Sequence, residues 1–492
     1  MKKLGVFGVV VIVLLAMSGM ANAVEIKARG YWWMEAVSRS NWDFLGAGED
    51  QHFSIEEKLR TQFQFIANEN LRGVLDTQIG TNNWGNGLYS IGAGRTPNVT
   101  TGTSGANIAG DGNIMLRQGY VEYLWPGTKM NFKVGFQTLT LPAAFGGGSA
   151  IMDDQVAAAV FSAPIGENIA ILAGYARPYD TNAYGAATTL PGHGTATDVL
   201  FAALPITFKG GNVTPFAAYV NSGFQTASAT SGATSLRGFT GPNATTSEGL
   251  HGYWGGVAAT VTALDNFKGM ADFNYGNVAY NNNNVSAGRR GFLFDAAIDY
   301  TAMSMMTPEL FFAYSSGENG NSSKGGVSER MPVVATPQNW KIGSFFFGER
   351  LELAGFIPTA GYTSTTLGYW AAGFSLKDIA LVDKLKHDFN LLYAQGTNSK
   401  DYIKELNNGG VSNVRNANYG GFLTTKDSLW EVDFNSRYSI YDELQVLLYL
   451  GYIKADFDKN VWGASSLTTA SQIQQTGSKD AYKIGLGINY FF

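Results

Sequence analysis

The residues that could carry out catalysis in this chain are few and scattered. Its four histidines show neither the spacing of a metal site nor an H-E-x-x-H motif, and no G-x-S-x-G motif presents a nucleophilic serine. Asp111-Gly112-Asn113 and the segment from Asp456 to Asn460 offer oxygen ligands, but neither has the full pattern of a calcium loop. We therefore expect no enzyme activity, no bound metal and no cofactor.

Charged residues in two places could instead act on a small solute through their electric field. The first group is basic and falls on the polar side of consecutive predicted strands: Lys58, Arg60, Arg72, Arg117 and Lys133. The second is a predicted loop, Leu139 to Asp154, that contains Gly146-Gly147-Gly148 and ends in Asp153 and Asp154. Glycine lets such a loop bend inward, where its carboxylates would face the basic residues across a narrow aqueous gap. The transverse field would orient dipolar solutes and set a size limit and a mild charge preference. The alternative is that these charges line the lumen of a wide channel, or that they pair with one another.

Strands with one apolar and one polar face are the elements that must hold these charges. The stretch from Ala481 to Phe492 alternates with a period of two. Its apolar face comprises Tyr482, Ile484, Leu486, Ile488, Tyr490 and Phe492, and its polar face comprises Lys483, Gly485, Gly487 and Asn489. An apolar face with aromatic residues at both ends suits lipid on one side and water on the other.

The N-terminus predicts export from the cytoplasm. Two lysines, an apolar run from Leu4 to Met17 and the sequence Ala21-Asn22-Ala23 match the three parts of a signal peptide. A transmembrane anchor is the alternative, but the run is shorter than the roughly 20 residues that span a bilayer. We predict a signal peptide at 1–23, cleaved after Ala23 at the motif formed by Ala21 and Ala23, and one barrel domain at 24–492.

Composition favours an exported β protein. Of 492 residues, 61 are glycine and none is cysteine, while 13% are aromatic and 15% are charged. Loss of the signal peptide would leave 32 basic and 39 acidic residues, a net charge of −7, and this mild acidity argues against nucleic-acid binding, which uses basic stripes. After the N-terminal segment no apolar run reaches about 20 residues. The chain is therefore either a large periplasmic β protein or one that crosses the outer membrane as strands.

Short and long connections alternate along the chain. Short turns are predicted at Asn68-Glu69-Asn70, Pro126-Gly127-Thr128, Pro164 to Asn168, Lys209 to Asn212, Leu264-Asp265-Asn266, Met303 to Thr307, Ala380 to Lys384 and Tyr441-Asp442-Glu443. Long polar loops lie between them. Outer-membrane barrels have short turns at the periplasmic rim and long loops outside. Eight turns predict 18 strands, or 16 if one hairpin is misassigned.

Three features do not fit this simple pattern. Alternation is poor in Leu116 to Trp125 and in Leu444 to Phe457, so their faces cannot be assigned. Glu57 falls on an apolar face, where lipid would penalise its charge by a few kcal/mol, and a neighbouring subunit in front of it is one explanation. The segment from Gly317 to Thr366 is too long for one simple loop and could form a loop hairpin or fold into the lumen.

The C-terminal pattern resembles the assembly signal of bacterial outer-membrane β-barrels, which ends in Phe preceded by apolar residues at alternate positions. The predicted mature chain is similar to the trimeric general porins of Gram-negative outer membranes, and most closely to the homotrimeric porins of sulfate-reducing bacteria. The residues that carry the closer resemblance are Glu56-Glu57-Lys58-Leu59-Arg60-Thr61-Gln62-Phe63, Asn68-Glu69-Asn70-Leu71, Arg117-Gln118-Gly119-Tyr120-Val121-Glu122, Leu376-Lys377-Asp378 and Asp383-Lys384-Leu385-Lys386-His387-Asp388.

This resemblance implies an all-β fold, a transmembrane antiparallel β-barrel with short periplasmic turns, long extracellular loops and a third loop folded inside it. It assigns the pore constriction to Asp153 and Asp154 and the opposing pore wall to Lys58, Arg60, Arg72, Arg117 and Lys133. The implied function is passive diffusion of small hydrophilic solutes and ions through a homotrimer in the outer membrane. Implied partners are outer-membrane lipid, lipopolysaccharide and the barrel-assembly machinery, which would bind the C-terminal strand.

Other functions stay open on the residues alone. A substrate-selective porin of the sugar-channel type would use an aromatic track, such as Tyr31 with Trp33 or the run Phe345-Phe346-Phe347. A surface-binding or structural barrel would conduct no ions. An outer-membrane lipase would need a serine and a histidine as neighbours on the outer surface. Acids on the predicted luminal faces, such as Asp295 and Glu431, compete with the basic group, so the sequence does not predict the sign of ion preference.

Overall fold

In a computed structural model, the chain forms one closed antiparallel sheet. The structure describes residues 24–41, 51–84, 114–180, 196–222, 250–280, 288–320, 327–334, 340–343, 368–401, 423–458 and 479–492. The predicted signal peptide, with Ala21 and Ala23, lies outside these ranges, as does Phe345-Phe346-Phe347. Among the described residues, none belongs to a helix that is both long and apolar enough to cross a membrane.

The sheet contains 19 strand segments. In chain order they are β1 (Glu25–Ser40), β2 (Gln51–Asn68), β3 (Leu71–Asn83), β4 (Ile114–Leu124), β5 (Asn131–Thr140), β6 (Asp153–Pro164), β7 (Ala170–Asp180), β8 (Ala196–Ala203), β9 (Ile206–Phe208), β10 (Gly211–Ser222), β11 (Leu250–Val261), β12 (Phe267–Tyr280), β13 (Arg289–Tyr300), β14 (Thr307–Ser315), β15 (Tyr369–Val382), β16 (Leu385–Gly396), β17 (Ser428–Tyr441), β18 (Leu444–Asp456) and β19 (Ala481–Phe491).

Two of these segments, β8 and β9, are one interrupted strand, because both pair with β10. The interruption contains Pro205, which has no N–H to donate to a ladder. The wall therefore has 18 strands, and the prediction of 18 rather than 16 is confirmed.

The first and last strands close the barrel. β1 pairs with both β2 and β19, which leaves no strand edge exposed. At the chain end, the N–H of Gly30 donates to the carbonyl of Phe492 at 2.8 Å, and the N–H of Phe492 donates to the carbonyl of Gly30 at 3.1 Å. A Cβ on Gly30 would lie 2.1 Å from the carbonyl oxygen of Arg60, so this close approach requires glycine.

The two rims differ as predicted. All eight short turns lie at one rim, where they connect strands through residues 69–70, 125–130, 165–169, 209–210, 262–266, 301–306, 383–384 and 442–443. The other ends of the strands, apart from the interruption in β8–β9, lie at the opposite rim, and the connections between them are mostly much longer in sequence. We call these the short-turn rim and the long-loop rim, which correspond to the periplasmic and extracellular sides of an outer-membrane barrel.

On the described strands, most outward-facing side chains are apolar and most charged side chains face inward. On β17, Trp430, Val432 and Phe434 are 49, 36 and 36% exposed, whereas Glu431 and Asp433 between them are 0 and 1% exposed. The C-terminal strand behaves in the same way, with Tyr482, Ile484, Leu486, Ile488 and Tyr490 exposed and Lys483 only 4% exposed. This sidedness is that of a barrel with lipid outside and a polar lumen inside.

Aromatic side chains form part of a girdle on the outer face near the long-loop rim. The ring centroids of Trp370 and Tyr393 are 5.3 Å apart, and those of Tyr393 and Trp430 are 4.9 Å apart. Phe292 and Tyr314 stack at 5.3 Å on the neighbouring strands β13 and β14. Such belts mark the membrane–water interface in outer-membrane barrels.

Of the two segments whose alternation was poor, the first contains irregular strand pairing. Between β3 and β4 the register shifts after Asp76, which pairs with Gln118 while Thr77 pairs with Leu116. Arg117 is therefore the extra residue of a β-bulge, which breaks a period of two. In β18, Leu450 is 36% exposed and Ile453 is fully buried, so this strand does have an outer and an inner face.

The barrel interior holds an apolar core. It is built by two segments that leave the wall and fold inward, together with side chains from the inner face of the strands. Its members include Leu139, Leu141, Phe145, Ile151, Met152, Met331, Val334, Trp340, Ile342, Phe311 and Leu392. The barrel is therefore a partly filled tube, and the infolded third loop is confirmed as part of the fold.

Candidate functional site

Two residues of the predicted basic wall lie on β2 beside aromatic rings of β1. The Nζ of Lys58 is 4.9 Å from the ring centroid of Trp33, and the guanidinium carbon of Arg60 is 5.6 Å from that of Tyr31. Arg60 also donates to the side-chain oxygen of Gln78 at 2.6 Å. Ring faces attract cations electrostatically, so these aromatic residues position the two positive charges on the inner face.

Two further basic residues lie closer to the short-turn rim, on β3 and β5. Arg72 donates two hydrogen bonds to Glu122 Oε2, at 2.9 and 2.6 Å, and Asn131 donates to the other carboxylate oxygen at 2.9 Å. The Nζ of Lys133 is 4.2 Å from the ring centroid of Tyr120. The Arg72–Glu122 ion pair partly neutralises the positive charge at this end of the wall. This is the alternative in which the charges pair with one another.

The two predicted loop acids lie where the infolded loop returns to the wall. Asp153 is 1% exposed and accepts a hydrogen bond from the hydroxyl of Thr140 at 2.7 Å. Alternation along β6 places Asp154 on the same face as Val156 and Ala158, which is the inner face, and Asp153 on the other face. Of the two carboxylates, Asp154 is therefore the one directed to the lumen.

The tip of the infolded loop reaches the wall formed by β12 and β13. The carboxylate of Asp272 on β12 accepts from the N–H of Ala144 at 2.8 and 3.0 Å and from the N–H of Phe145 at 2.8 Å. The ring of Phe145 stacks on that of Phe311 on β14, with centroids 6.1 Å apart. The loop thus runs from β5 across the interior and touches strands more than a hundred residues later in the chain.

A second infolded segment packs on the first. Its described parts are 327–334 and 340–343, and both lie inside the barrel. The N–H of Val334 donates to the carbonyl of Ile151 at 2.9 Å, and the N–H of Lys341 donates to the carbonyl of Gly146 at 2.9 Å. The described parts of the long segment from Gly317 to Thr366 thus fold into the lumen, one of the two arrangements that its length left open.

Trp340 lies at the centre of this arrangement. It is 4% exposed, and its indole N–H donates to Asp295 Oδ2 on β13 at 2.9 Å. Gly146 has a φ of 76°, and a Cβ there would lie 2.6 Å from Trp340 Cδ1. Glycine at 146 therefore supplies both the left-handed backbone and the space for the indole ring.

Sequence reasoning identified Asp295 as luminal but missed Asp272. The signal was present, because Lys268, Met270, Asp272 and Asn274 alternate with outward-facing residues along β12. What the sequence lacks is any sign that Asp272 meets a loop at 144–145. Among the described residues no group of three or more histidines, cysteines or acids could hold a metal ion.

The barrel has counterparts among solved structures. OpdQ of Pseudomonas aeruginosa matches with a TM-score of 0.50 and 10% identity, over 95% of this chain and 98% of OpdQ. OccK11 (OpdR) of the same species matches with a TM-score of 0.49 and 10% identity, over 94% and 96% of the two chains. The outer membrane protein OprD from Pseudomonas aeruginosa matches with a TM-score of 0.47 and 13% identity, over 96% and 95%. At 10% identity, the likeness to OpdQ supports the barrel fold alone. No protein-family model and no curated protein matches the chain.

Proposed function

We propose that this chain is a porin, a passive diffusion channel for small hydrophilic solutes and ions across the outer membrane. One observation carries the proposal: a closed 18-strand wall with apolar side chains outside and charged side chains inside. Such a wall satisfies every backbone hydrogen bond in lipid and encloses a polar path. The channel catalyses no reaction and couples to no energy source.

Planar-bilayer recording tests this function. Purified, folded protein added to one chamber should produce stepwise increases in current that scale with salt concentration. Protein that is folded in detergent, yet inserts without any conductance, would instead support a surface-binding or structural barrel.

The proposed assembly is a homotrimer. It would explain Glu57, whose outward-facing carboxylate is 8% exposed and accepts from the indole N–H of Trp32 at 2.6 Å and of Trp84 at 2.8 Å. A charge held by two indoles on a lipid-facing wall is costly, and a neighbouring subunit would remove it from lipid. Sedimentation velocity in detergent should give three times the mass of one chain, and a single-chain mass would contradict the trimer.

The proposed route to the membrane uses a cleaved signal peptide at 1–23. The C-terminal strand β19, with its exposed apolar face from Tyr482 to Tyr490, would be bound by the barrel-assembly machinery. Once inserted, the outer face would contact membrane lipid and lipopolysaccharide. Deleting Phe492 should reduce the amount of folded barrel in outer-membrane fractions.

The loop acids Asp153 and Asp154 are proposed as the acidic side of the constriction, opposite Lys58, Arg60, Arg72, Arg117 and Lys133. Replacing both by asparagine should move ion preference toward anions, by on the order of 10 mV of reversal potential in a tenfold salt gradient. Most of the shift should come from Asp154, which faces the lumen. Asp442→Asn, in a turn at the short-turn rim, is the matched control. Unchanged reversal potentials would remove these acids from the constriction.

A substrate-selective channel of the sugar-channel type is favoured by one observation, the second infolded segment, which narrows the lumen. Tyr31 and Trp33 were the candidates for an aromatic track, and their rings are in contact with Lys58 and Arg60. A sugar would therefore have to share these rings with cations. Block of single-channel current by one solute, and by no other of the same size, would select this function.

An outer-membrane lipase is the remaining candidate, because a serine and a histidine do meet on the outer face. His387 Nδ1 lies 2.8 Å from Ser436 Oγ, across neighbouring strands β16 and β17. Catalysis also requires a group that orients the histidine and donors for an oxyanion. Among the described residues the imidazole has no carboxylate partner, its other close neighbour being the Phe434 ring. We expect no fatty-acid release from phospholipid vesicles; release that Ser436→Ala abolishes would overturn this.

A further inference from the structure

The contacts of the two infolded segments converge on a pair of acids in the wall. Asp272 and Asp295 are register partners on β12 and β13, and both are nearly inaccessible, at 3 and 1% exposed. Like charges directly opposite each other in a sheet are destabilising, and buried charges require compensating hydrogen bonds. A need for a polar wall alone therefore does not explain two acids at this position.

Each acid binds a different infolded segment. Asp272 accepts the backbone N–H groups of Ala144 and Phe145 from the first segment, while Asp295 accepts the indole N–H of Trp340 from the second. A carboxyl oxygen accepts such a hydrogen bond in either protonation state of the acid. The two carboxylates thus fix both segments to the same place on the wall.

The segments are also joined to each other. Lys341 donates its N–H to Gly146, one residue beyond Phe145, and Val334 donates to Ile151 further along the same loop. The hydrogen bonds therefore connect all four parts in a ring. Asp272 binds the first segment, the first segment binds the second, and Trp340 of the second segment binds Asp295, the register partner of Asp272. A segment released from one acid would remain tethered through the other.

We propose that Asp272 and Asp295 are the positioning residues of the channel constriction, and that they hold both infolded segments as one unit against the β12–β13 wall. This rests on the proposed function as a channel. Among the described residues, the free cross-section is then left on the far side, along β1 to β5, where Lys58, Arg60 and Lys133 are only partly buried. The pore size is set by two side chains that need not touch the solute.

Single-channel recording of Asp272→Asn, Asp295→Asn and the double variant tests this positioning role. An asparagine amide keeps one acceptor oxygen and carries no charge, so Ala144 and Phe145 would share one neutral oxygen in place of the carboxylate and their hydrogen bonds would weaken. We expect the double variant to show a conductance at least about twofold above wild type and a larger size limit for neutral polymers, because the segments are no longer held to the wall. The matched control is Asp299→Asn, an acid on the same face of β13 that pairs with Lys377 at 2.6 Å.

A disulfide can replace the carboxylate contact and test it from the opposite direction. The chain contains no cysteine, so Ala144→Cys with Asp272→Cys, made together with Asp295→Asn, introduces a single pair. When reduced, this variant should conduct like the double asparagine variant; when oxidised, it should return toward the wild-type conductance. Wild-type conductance in the double asparagine variant and in the reduced cysteine variant would overturn the positioning role while leaving the channel intact. Absence of conductance in the wild type would instead overturn the channel itself.

Discussion

Glu318→Gln is expected to destabilise the barrel strongly. Glu318 is 1% exposed, and its carboxylate lies 3.4 Å from Arg289 and 3.5 Å from Arg330, two arginines that are almost fully buried. The cluster joins the wall to the second infolded segment. Removing one partner of a buried ion pair costs about 3–5 kcal/mol, and here two buried arginines would lose the acid that they share.

Equilibrium unfolding of the barrel by urea, in lipid or detergent, measures this cost. The readout is the shift in the urea concentration at the midpoint of unfolding. Glu25→Gln is the control, because Glu25 pairs with Lys27 at the surface and both side chains are 60% exposed; such pairs contribute at most about 1 kcal/mol. Equal midpoints for Glu318→Gln and Glu25→Gln would show that the buried cluster does not stabilise the fold.

Leu486→Arg should also destabilise the barrel, because it places a charge on the outer face. Leu486 is 57% exposed in the middle of β19, so an arginine there meets lipid and loses little protein packing. A basic residue near the bilayer midplane of a barrel costs about 2–4 kcal/mol. Gln64→Arg, a long polar side chain on the inner face of β2, should cost much less.

The two arginine variants separate a lipid-facing strand from one packed in a protein interior. Folded fraction after refolding into liposomes, read from heat-dependent migration in gels, gives the comparison. If Leu486→Arg and Gln64→Arg fold to the same extent, the outer face of β19 is not in hydrocarbon.

The wall of this barrel could be predicted from sequence because its rule is local. A period of two assigns Ile484 and Leu486 to one face and Lys483 to the other without knowledge of any partner strand. Turn residues at the short-turn rim are equally local, which explains why all eight turns were correct. Where the rule is interrupted, as by the bulge at Arg117, the sequence does not assign the faces of the strand.

The interior could not be predicted in this way. The hydrogen bond from Ala144 to Asp272 joins residues 128 positions apart, and no periodicity connects them. Glycines at 146–148 indicate a loop able to bend, and its carboxylates are the functional atoms that the sequence predicts, not its backbone N–H groups. The tip of the loop presents backbone N–H donors that require an acidic acceptor on the wall. Several acids are predicted to face the lumen, and the sequence does not indicate which of them the loop contacts.

The sidedness of the wall is the central claim, and cysteine labelling measures it most directly. In a chain without cysteine, single cysteines at Phe434, Asn435, Arg437 and Tyr438 sample both faces of β17. In liposomes, a charged, membrane-impermeant thiol reagent should label the cysteines at 435 and 437, which face the aqueous lumen, and leave those at 434 and 438 unlabelled in lipid. Labelling at 434 and 438 equal to or greater than that at 435 and 437 would contradict the barrel as a membrane channel.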